Sequence, residues 1–336
     1  MPSQQRRTAK ITAIGKYLPE RILSNFELEK MVDTTDEWIR SRTGIIERHL
    51  VRDGEVTSHM ATEAAREVLL KRQIDPEEID CIIVATVTPD MFFPATACLV
   101  QNNLGATRAW GFDLSAACSG FLFALDTGAR MVESGQYTKI LVIGADTMSS
   151  ILDYTDRATC VLFGDGAGAI LLEPCEDGSE GVLDSILRCD GSGAEYLYME
   201  GGGSLYPPSA ETIAKGQHYL QQDGPAVFKY AAKWMADVSA EVAERNGLTN
   251  KDIQLFIPHQ ANKRIIDASA HRLGLTAEQV LSNIERYANT TAATIPLGMA
   301  DAVDDGRLRP GDNLILAAFG AGFTWGGMYI RWSEVR

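Results

Sequence analysis

The sequence predicts an α/β fold made of two similar halves, and two features of its 336 residues support this. First, short β-branched runs alternate with helical segments through most of the chain, which is typical of α/β proteins. Second, the order of these segments repeats, at an offset of 174 residues from Ile79 to Ile253 and 176 residues from Gly144 to Gly320. Solenoid repeats span about 20–50 residues, so a repeat this long indicates a duplicated domain. We expect halves at residues 1–175 and 176–336, each supplying one side of a shared cleft.

The alternation is clearest in the first half. A buried strand at 79–88 leads to a helix at 94–105, which starts with a proline and stops at a glycine. A strand at 110–114, an amphipathic helix at 119–134 and a buried strand at 139–146 follow. The apolar strands predict a sheet that is covered on both faces.

The second half repeats this order with a strand and polar loop at 252–262, a helical segment at 288–306 and a buried strand at 313–322. Between the repeats, residues 191–216 are rich in Gly, Ser and Tyr and predict a long loop or lid. Apolar residues at helical spacing predict a long helix at 223–247.

Composition and charge restrict the possible functions. The chain is 45% hydrophobic and 23% charged, as in ordinary globular proteins. No apolar run approaches the roughly 18 residues of a membrane span, and MPSQQRRTAK lacks the apolar region of a signal peptide, so we expect a cytoplasmic protein. A net charge of −14 disfavours generic nucleic-acid binding.

The cysteines and histidines show no metal-binding or disulfide pattern. None of the six cysteines forms a C-x-x-C pair, and most lie in apolar runs, which is typical of buried reduced thiols. The five histidines show no H-x-x-x-H spacing. We therefore expect neither a metal nor another cofactor.

Cys118 differs from the other cysteines because it lies where a strand passes through small residues into a helix, in DLSAACSGF. The free N–H groups and dipole of a helix start stabilise a thiolate, so we expect a lowered pKa for this thiol. A small buried structural cysteine fits this segment equally well.

The second half places His259 at the end of a buried strand and Asn289 at the position that we align with Cys118. A lone histidine is more often structural than catalytic. The duplication, however, would bring both strand ends opposite Cys118, and Cys, His and Asn together suit covalent acyl transfer. The backbone N–H groups of FGAGFTWG (319–326) suit an oxyanion hole, although the glycines also fit a simple tight turn.

Six segments, in order along nearly the whole chain, resemble those of the 3-oxoacyl-[acyl-carrier-protein] synthase III family, the condensing enzymes that start bacterial fatty-acid synthesis. Any one of them is weak, but the set is highly specific: DEWIRSRTGIIER, SAACSGF, TDRATCVLFGDGAGA, PHQAN, YANTTAATIP and FGAGFTWG. The resemblance implies a thiolase-like fold with five layers, α/β/α/β/α, two halves related by a pseudo-twofold axis, and a homodimer.

The resemblance also implies a decarboxylative Claisen condensation. Cys118 would accept the acyl group of a short acyl-CoA, such as acetyl-CoA, as a thioester. His259 and Asn289 would bind the thioester carbonyl of malonyl-ACP and stabilise the enolate formed as CO₂ leaves. That enolate would attack the acyl thioester to give 3-oxoacyl-ACP. The backbone N–H groups of Cys118 and Ala321 would hold the second oxyanion, with Ala321 standing where relatives often have glycine.

Further residues match positions that bind substrates in the family. Trp38 and Arg157 would sandwich the adenine of CoA, Arg42 would meet its phosphates, and Asn262 would contact the pantetheine arm. Phe93 would reach the bottom of the acyl pocket across the dimer interface and favour short acyl groups.

Lys229 and Arg264 match the positions that dock the carrier protein. A local basic patch would offset the repulsion between an acidic carrier and a chain of net charge −14.

Three alternatives share this fold. Cys, His and Asn also serve type III polyketide synthases and hydroxymethylglutaryl-CoA synthases, although the segments around Trp38 and GAGFTWG fit synthase III better. Specialised ketosynthases of secondary metabolism retain the same motifs. A non-catalytic acyl-binding protein is disfavoured, because binding alone does not require the nucleophile.

Overall fold

The computed structural model describes residues 7–335, so part of the N-terminal stretch considered above for a signal peptide lies outside it. The strands are β1 (Thr8–Tyr17), β2 (Arg21–Ser24), β3 (Glu47–Leu50), β4 (Cys81–Ala85), β5 (Trp110–Leu114), β6 (Ile140–Asp146), β7 (Gly166–Cys175), β8 (Gly181–Cys189), β9 (Leu197–Met199), β10 (Leu220–Gln222), β11 (Leu255–Pro258), β12 (Asn313–Gly320) and β13 (Thr324–Arg331). The helices are α1 (Asn25–Leu28), α2 (Asp36–Thr43), α3 (Thr57–Arg72), α4 (Thr96–Leu104), α5 (Gly120–Glu133), α6 (Ala210–Ala214), α7 (Gly224–Arg245), α8 (Lys263–Leu273), α9 (Ile284–Tyr287) and α10 (Thr294–Asp304).

Two mixed sheets carry the duplication. The first has the strand order β1-β7-β6-β4-β5, and the second, read from its other edge, has the order β8-β13-β12-β11. In the first sheet β4 pairs in parallel with β5 and β6, while β7 is antiparallel to both of its neighbours. The second sheet repeats this pattern, with β11 and β12 parallel and β13 antiparallel to both of its neighbours. A single parallel bridge between Phe256 and Val280 stands where β5 stands in the first sheet.

Three apolar clusters hold the layers together. The central cluster joins α5 and α10 to the facing sides of both sheets, through residues such as Phe121, Met299, Val142 and Leu316. A second cluster packs α3 and α4 on the outer face of the first sheet. A third packs α7 and α8 on the outer face of the second sheet. The five-layered α/β/α/β/α fold expected from the family resemblance is therefore confirmed.

The secondary structure agrees with the sequence in order but not always in length. The strand expected at 79–88 is shorter, at Cys81–Ala85, because the chain leaves the sheet before the polar residues that follow. The segment 191–216 is not a simple loop, since it contains β9, which pairs antiparallel with β10, and the short helix α6. The proposed boundary at 175/176 falls in the turn between β7 of one sheet and β8 of the other. Across residues 7–335, none of the helices has the length and apolar character that crossing a membrane requires.

Candidate active site

Cys118 lies in a tight elbow between β5 and α5. Ala117 adopts a left-handed φ of 48°, and a turn of 3₁₀ helix at Ala117–Ser119 leads directly into α5. Two hydrogen bonds tie this elbow to the start of β13. The Ser119 hydroxyl donates to the Thr324 carbonyl at 3.0 Å, and the Thr324 hydroxyl donates to the Ala116 carbonyl at 2.9 Å. The cysteine therefore sits on a backbone that is fixed from both halves of the chain.

Gly320, at the end of β12, lets the second sheet approach this elbow closely. A Cβ atom on Gly320 would lie 2.7 Å from the backbone nitrogen of Cys118 and 3.0 Å from that of Ser119. Such distances are far below van der Waals contact. The close approach places the turn after β12, including Ala321, beside Cys118.

His259 and Asn289 reach the same place from the second half. His259 directly follows β11 and is buried, with its Nδ1 atom 2.7 Å from the Thr294 hydroxyl. The Asn289 Oδ1 atom accepts the backbone N–H of Thr291 at 2.9 Å. The Asn289 side chain lies close enough to Cys118 to lower the pKa of its thiol in part. Cys118, His259 and Asn289 all line one cavity of about 420 Å³.

The alignment of Asn289 with Cys118 is wrong. The second elbow has its left-handed residue at Thr291, with a φ of 54°, followed by a 3₁₀ turn at Thr291–Ala293 and then α10. Ala292 is therefore the structural counterpart of Cys118. Asn289 lies three residues earlier and forms only an isolated bridge with Phe163 instead of ending a strand. The error arises because no full strand precedes it to set the register.

The protonation state of the Cys118 thiol differs from expectation. Burial raises the pKa of the Cys118 thiol to about 12, with a further rise from the nearby Asp146 carboxylate, so the lowered pKa expected from the helix start is not found. Burial lowers the pKa of His259 to about 3, which keeps the imidazole neutral at physiological pH. The resting site therefore contains a neutral thiol and a neutral imidazole.

Alkylation of Cys118 should therefore keep accelerating with pH. We expect the rate with iodoacetamide to rise about tenfold per pH unit between about pH 7 and 10, because only the thiolate reacts and its fraction grows in that proportion below the pKa. Mass spectrometry of the Cys118 peptide measures the rate, and free cysteine, whose pKa is about 8.5, serves as the reference thiol. If the rate for Cys118 levels off at a lower pH than the rate for free cysteine, the helix start lowers the pKa of Cys118 more than burial raises it.

Asp146 is a further residue of this centre that the sequence analysis did not identify. Its buried carboxylate ends β6 and accepts hydrogen bonds from Thr86, Val87 and Thr88 on one oxygen. Its other oxygen accepts the backbone N–H of Ala292 at 3.1 Å. Two strand positions earlier, a Cβ on Gly144 would lie 2.4 Å from the Ala292 carbonyl oxygen. The end of β6 thus holds the second elbow directly, although burial raises the pKa of Asp146 to about 6.

The outer part of the 420 Å³ cavity is lined by Trp38, Arg42, Asn262 and Arg264. Arg157 lies outside this lining, but its guanidinium is 5.6 Å from the centre of the Trp38 ring. An aromatic ring stacked between the Trp38 indole and the Arg157 guanidinium requires about 7 Å between them, which is twice a van der Waals contact. The two side chains must therefore move slightly apart to hold an adenine. The Asn262 side chain caps α8 and also donates to the Arg42 carbonyl at 3.0 Å, which joins α8 to α2.

A second, narrower cavity of about 140 Å³ also reaches Cys118. Ala321 lines it together with mostly apolar side chains, among them Val87, Met148, Phe163 and Leu220. Phe93 lines neither cavity in a single chain, where its side chain is 84% exposed. Lys229 is exposed on α7 and likewise lines neither cavity.

Helix α7 supplies lining residues that the sequence analysis missed. Phe228, Ala231 and Met235 face the larger cavity from successive turns of this helix. Their spacing of three and four residues is the signal of one helical face, but it does not say whether that face meets a core or a cavity. Among residues 7–335, no group of three or more His, Cys, Asp and Glu side chains is placed to hold a metal ion.

Comparisons with known proteins agree with this architecture. Family models described as 3-Oxoacyl-[acyl-carrier-protein (ACP)] synthase III and its C terminal part match residues 112–191 and 243–332. The beta-ketoacyl-[acyl-carrier-protein] synthase III of Koribacter versatilis is 60% identical over 97% of this chain and 98% of its own. The protein of the same name from Chlorobium phaeovibrioides is 56% identical over 96% of this chain and 99% of its own.

A solved structure gives the same result. The crystal structure of 3-oxoacyl-[acyl-carrier-protein] synthase III from Aquifex aeolicus superposes with a TM-score of 0.89 and 44% identity, covering 96% of this chain and 100% of that one. Identity at this level over the full length covers both sheets and both elbows. The chain therefore belongs to the 3-oxoacyl-[acyl-carrier-protein] synthase III family and is a thiolase-fold acyltransferase of the condensing type.

Proposed function

We propose that this chain condenses a short acyl-CoA with malonyl-ACP through an acyl thioester on Cys118, giving 3-oxoacyl-ACP, CO₂ and CoA and so starting fatty-acid synthesis. The roles of these residues are assigned mainly from one observation, which is that Cys118 lies between two cavities. The larger one leads to Trp38 and Arg42 and also contains His259 and Asn289. The smaller one is mainly apolar and suits a short acyl chain.

Acylation comes first in this scheme. The acyl-CoA enters by the larger cavity, with its adenine between Trp38 and Arg157, its phosphates near Arg42 and its pantetheine arm passing Asn262. The Cys118 sulfur attacks the thioester carbonyl, and the backbone N–H groups of Cys118 and Ala321 hold the resulting oxyanion. The carbon–sulfur bond to CoA then breaks, and CoA leaves with the thiol proton.

Condensation follows in the same cavity. Malonyl-ACP replaces CoA, and its thioester carbonyl accepts hydrogen bonds from His259 Nε2 and Asn289 Nδ2. Within the described part of the chain, the buried Nε2 atom has no other hydrogen-bond partner, so it is available for this role. Loss of CO₂ leaves an enolate, which attacks the acyl carbonyl. The carbon–sulfur bond to Cys118 then breaks, and the released thiolate takes up a proton from water to restore the thiol. Both donors are neutral, so the proposed steps need no metal and no cofactor.

The cavity mouth has features that suit an acidic carrier protein. Arg264 stacks over the Phe228 ring, with 4.5 Å between its guanidinium carbon and the ring centre. Lys263 and Arg272 on the same helix pair with Asp267 and Asp237. By contrast, neither Lys229 nor Arg264 has an acidic partner within 4.0 Å among residues 7–335. Arg264 lines the cavity, and Lys229 is exposed next to the lining residue Phe228 on α7, so two cations without acidic partners support carrier docking on this side.

The remaining elements of the proposal concern assembly and location. A homodimer would bring Phe93 of one subunit toward the acyl cavity of the other, and the exposure of Phe92 and Phe93, at 76% and 84%, supports a covered surface there. We place the reaction in the cytoplasm. The curated relatives do not favour the alternatives of a secondary-metabolite or non-catalytic role.

Mass spectrometry with a panel of acyl-CoAs tests this function. Incubation with acetyl-CoA should add one acetyl group to the peptide that contains Cys118, and longer or branched acyl groups should add less efficiently as they outgrow the 140 Å³ cavity. An acyl group found on another cysteine, or on none, would overturn the proposal.

Reversing the charge at the cavity mouth should affect malonyl-ACP and acetyl-CoA differently. Arg264→Glu is expected to raise the KM for malonyl-ACP about tenfold or more, because repulsion replaces attraction at the docking surface, while acetyl-CoA loading changes little. Lys233→Glu on α7 is the matched control, since Lys233 is exposed but already paired with Asp237. Equal effects of Arg264→Glu on both substrates would show that Arg264 acts only on the shared entrance and not on carrier docking.

A further inference from the structure

Among residues 7–335, Thr294 is the one side chain that hydrogen-bonds His259 Nδ1. It is the first residue of α10 and is buried, and its hydroxyl oxygen lies 2.7 Å from the Nδ1 atom. The same oxygen lies 3.2 Å from the carbonyl oxygen of Thr291. A threonine hydroxyl has a single proton, so it can donate to only one of these two acceptors at a time.

The direction of this hydroxyl determines the tautomer of the histidine. If the proton points to Thr291, the hydroxyl must accept from an Nδ1–H group, and Nε2 is left as a bare acceptor. If the proton points to Nδ1, the neutral ring carries its own proton on Nε2, which then acts as a donor in the cavity. Only the second arrangement can stabilise an enolate oxygen.

The distances favour the second arrangement. An O–H donor normally lies about 2.7–2.8 Å from its acceptor, and contacts beyond about 3.0 Å are weak. The contact with Nδ1 falls at the strong distance and the contact with the Thr291 carbonyl at the weak one. We propose that Thr294 is a positioning residue, which donates its hydroxyl proton to Nδ1 and thereby holds His259 as the Nε2–H tautomer required for decarboxylation of malonyl-ACP. This inference rests on the proposed role of His259.

Nuclear magnetic resonance of protein labelled with ¹⁵N-histidine tests the tautomer without any turnover. The His259 ring of the wild-type enzyme should show a proton on Nε2 and a bare Nδ1. Thr294→Val, which keeps the shape and removes the hydroxyl, should give a mixture of tautomers, and Thr294→Ser should restore the wild-type pattern. A wild-type ring protonated on Nδ1 would overturn the proposal even if the valine variant failed to fold.

Kinetics of the separate steps give the second test. Thr294→Val should lower kcat for malonyl-ACP decarboxylation about tenfold while changing KM and Cys118 acetylation by less than about twofold, because one neutral hydrogen bond is lost from one step. Thr290→Val is the matched control, since Thr290 is a buried threonine of the same turn whose hydroxyl has no partner among residues 7–335. Equal loss in both variants, or no rescue by serine, would reduce Thr294 to a packing role.

The proposed role of His259 and the proposed role of Thr294 can be disproved separately. If His259→Ala decarboxylates malonyl-ACP normally, the proposed function of His259 is wrong, whatever tautomer the spectrum shows. If His259→Ala is inactive in decarboxylation but Thr294→Val is fully active, only the role of Thr294 is wrong.

Discussion

Replacing Cys118 by alanine is expected to abolish acylation and to lower the condensation rate by at least about a thousandfold. Among residues 7–335, no other nucleophilic side chain lines both cavities, and the covalent step cannot proceed without the sulfur. Intact-protein mass spectrometry after incubation with acetyl-CoA measures the first effect, and the yield of 3-oxoacyl-ACP measures the second. The alanine variant should still decarboxylate malonyl-ACP, because His259 and Asn289 remain in place.

Cys98→Ala is the matched control for this variant. Cys98 is an exposed cysteine on α4 and lines neither cavity, so its replacement should change neither acylation nor condensation. A persistent acyl adduct in Cys118→Ala would show that a different residue is the nucleophile.

Replacing His259 by alanine is expected to have the opposite pattern of effects: decarboxylation should be lost while acylation of Cys118 continues. Loss of one enolate donor should lower malonyl-ACP decarboxylation by about a hundredfold to a thousandfold, which is the usual cost of removing an oxyanion donor. Acylation of Cys118 should continue, because its oxyanion is held by backbone N–H groups from another part of the site. Stopped-flow or quenched measurements of each half-reaction distinguish the two effects.

Two further variants sharpen this test. Asn289→Ala should show a similar loss in decarboxylation, together with a small slowing of acylation because the Asn289 side chain lowers the pKa of the thiol. His271→Ala, at an exposed histidine on α8, should have no effect. Complete loss of acylation in His259→Ala would instead identify this imidazole as the base that removes the thiol proton.

The parts of the fold that the sequence predicts well are those determined locally. Apolar strands such as β6 and the capped helices α4 and α7 carry their own pattern of burial and termination, so their positions are predicted within a few residues. The location of Cys118 is predictable for the same reason, because small residues between a strand and a helix mark an elbow. The short strands β9 and β10 are not, since three-residue strands carry too little periodicity to stand out from a loop.

The parts of the site that the sequence does not predict depend on contacts between distant segments. The pKa of Cys118 is one example, because the local helix start suggests a low value while burial and Asp146 produce a high one. Thr294 is another, since its relation to His259 exists only once α10 and β11 are packed together. The register of Asn289 is a third example, because only an isolated bridge to Phe163, and no full strand, precedes the second elbow.

The contact between the end of β6 and the second elbow has an evolutionary consequence. Asp146 and Gly144 hold the second elbow, which follows Asn289, against the sheet whose strand β5 leads to Cys118. A mutation at this seam would disturb both half-reactions together, so we expect new starter preferences to arise elsewhere. The hairpin of β9 and β10 contributes Leu197 to both cavities and Leu220 to the smaller one, yet belongs to neither main sheet. We expect substitutions in this strand pair to change acyl preference without altering the contact between β6 and the second elbow.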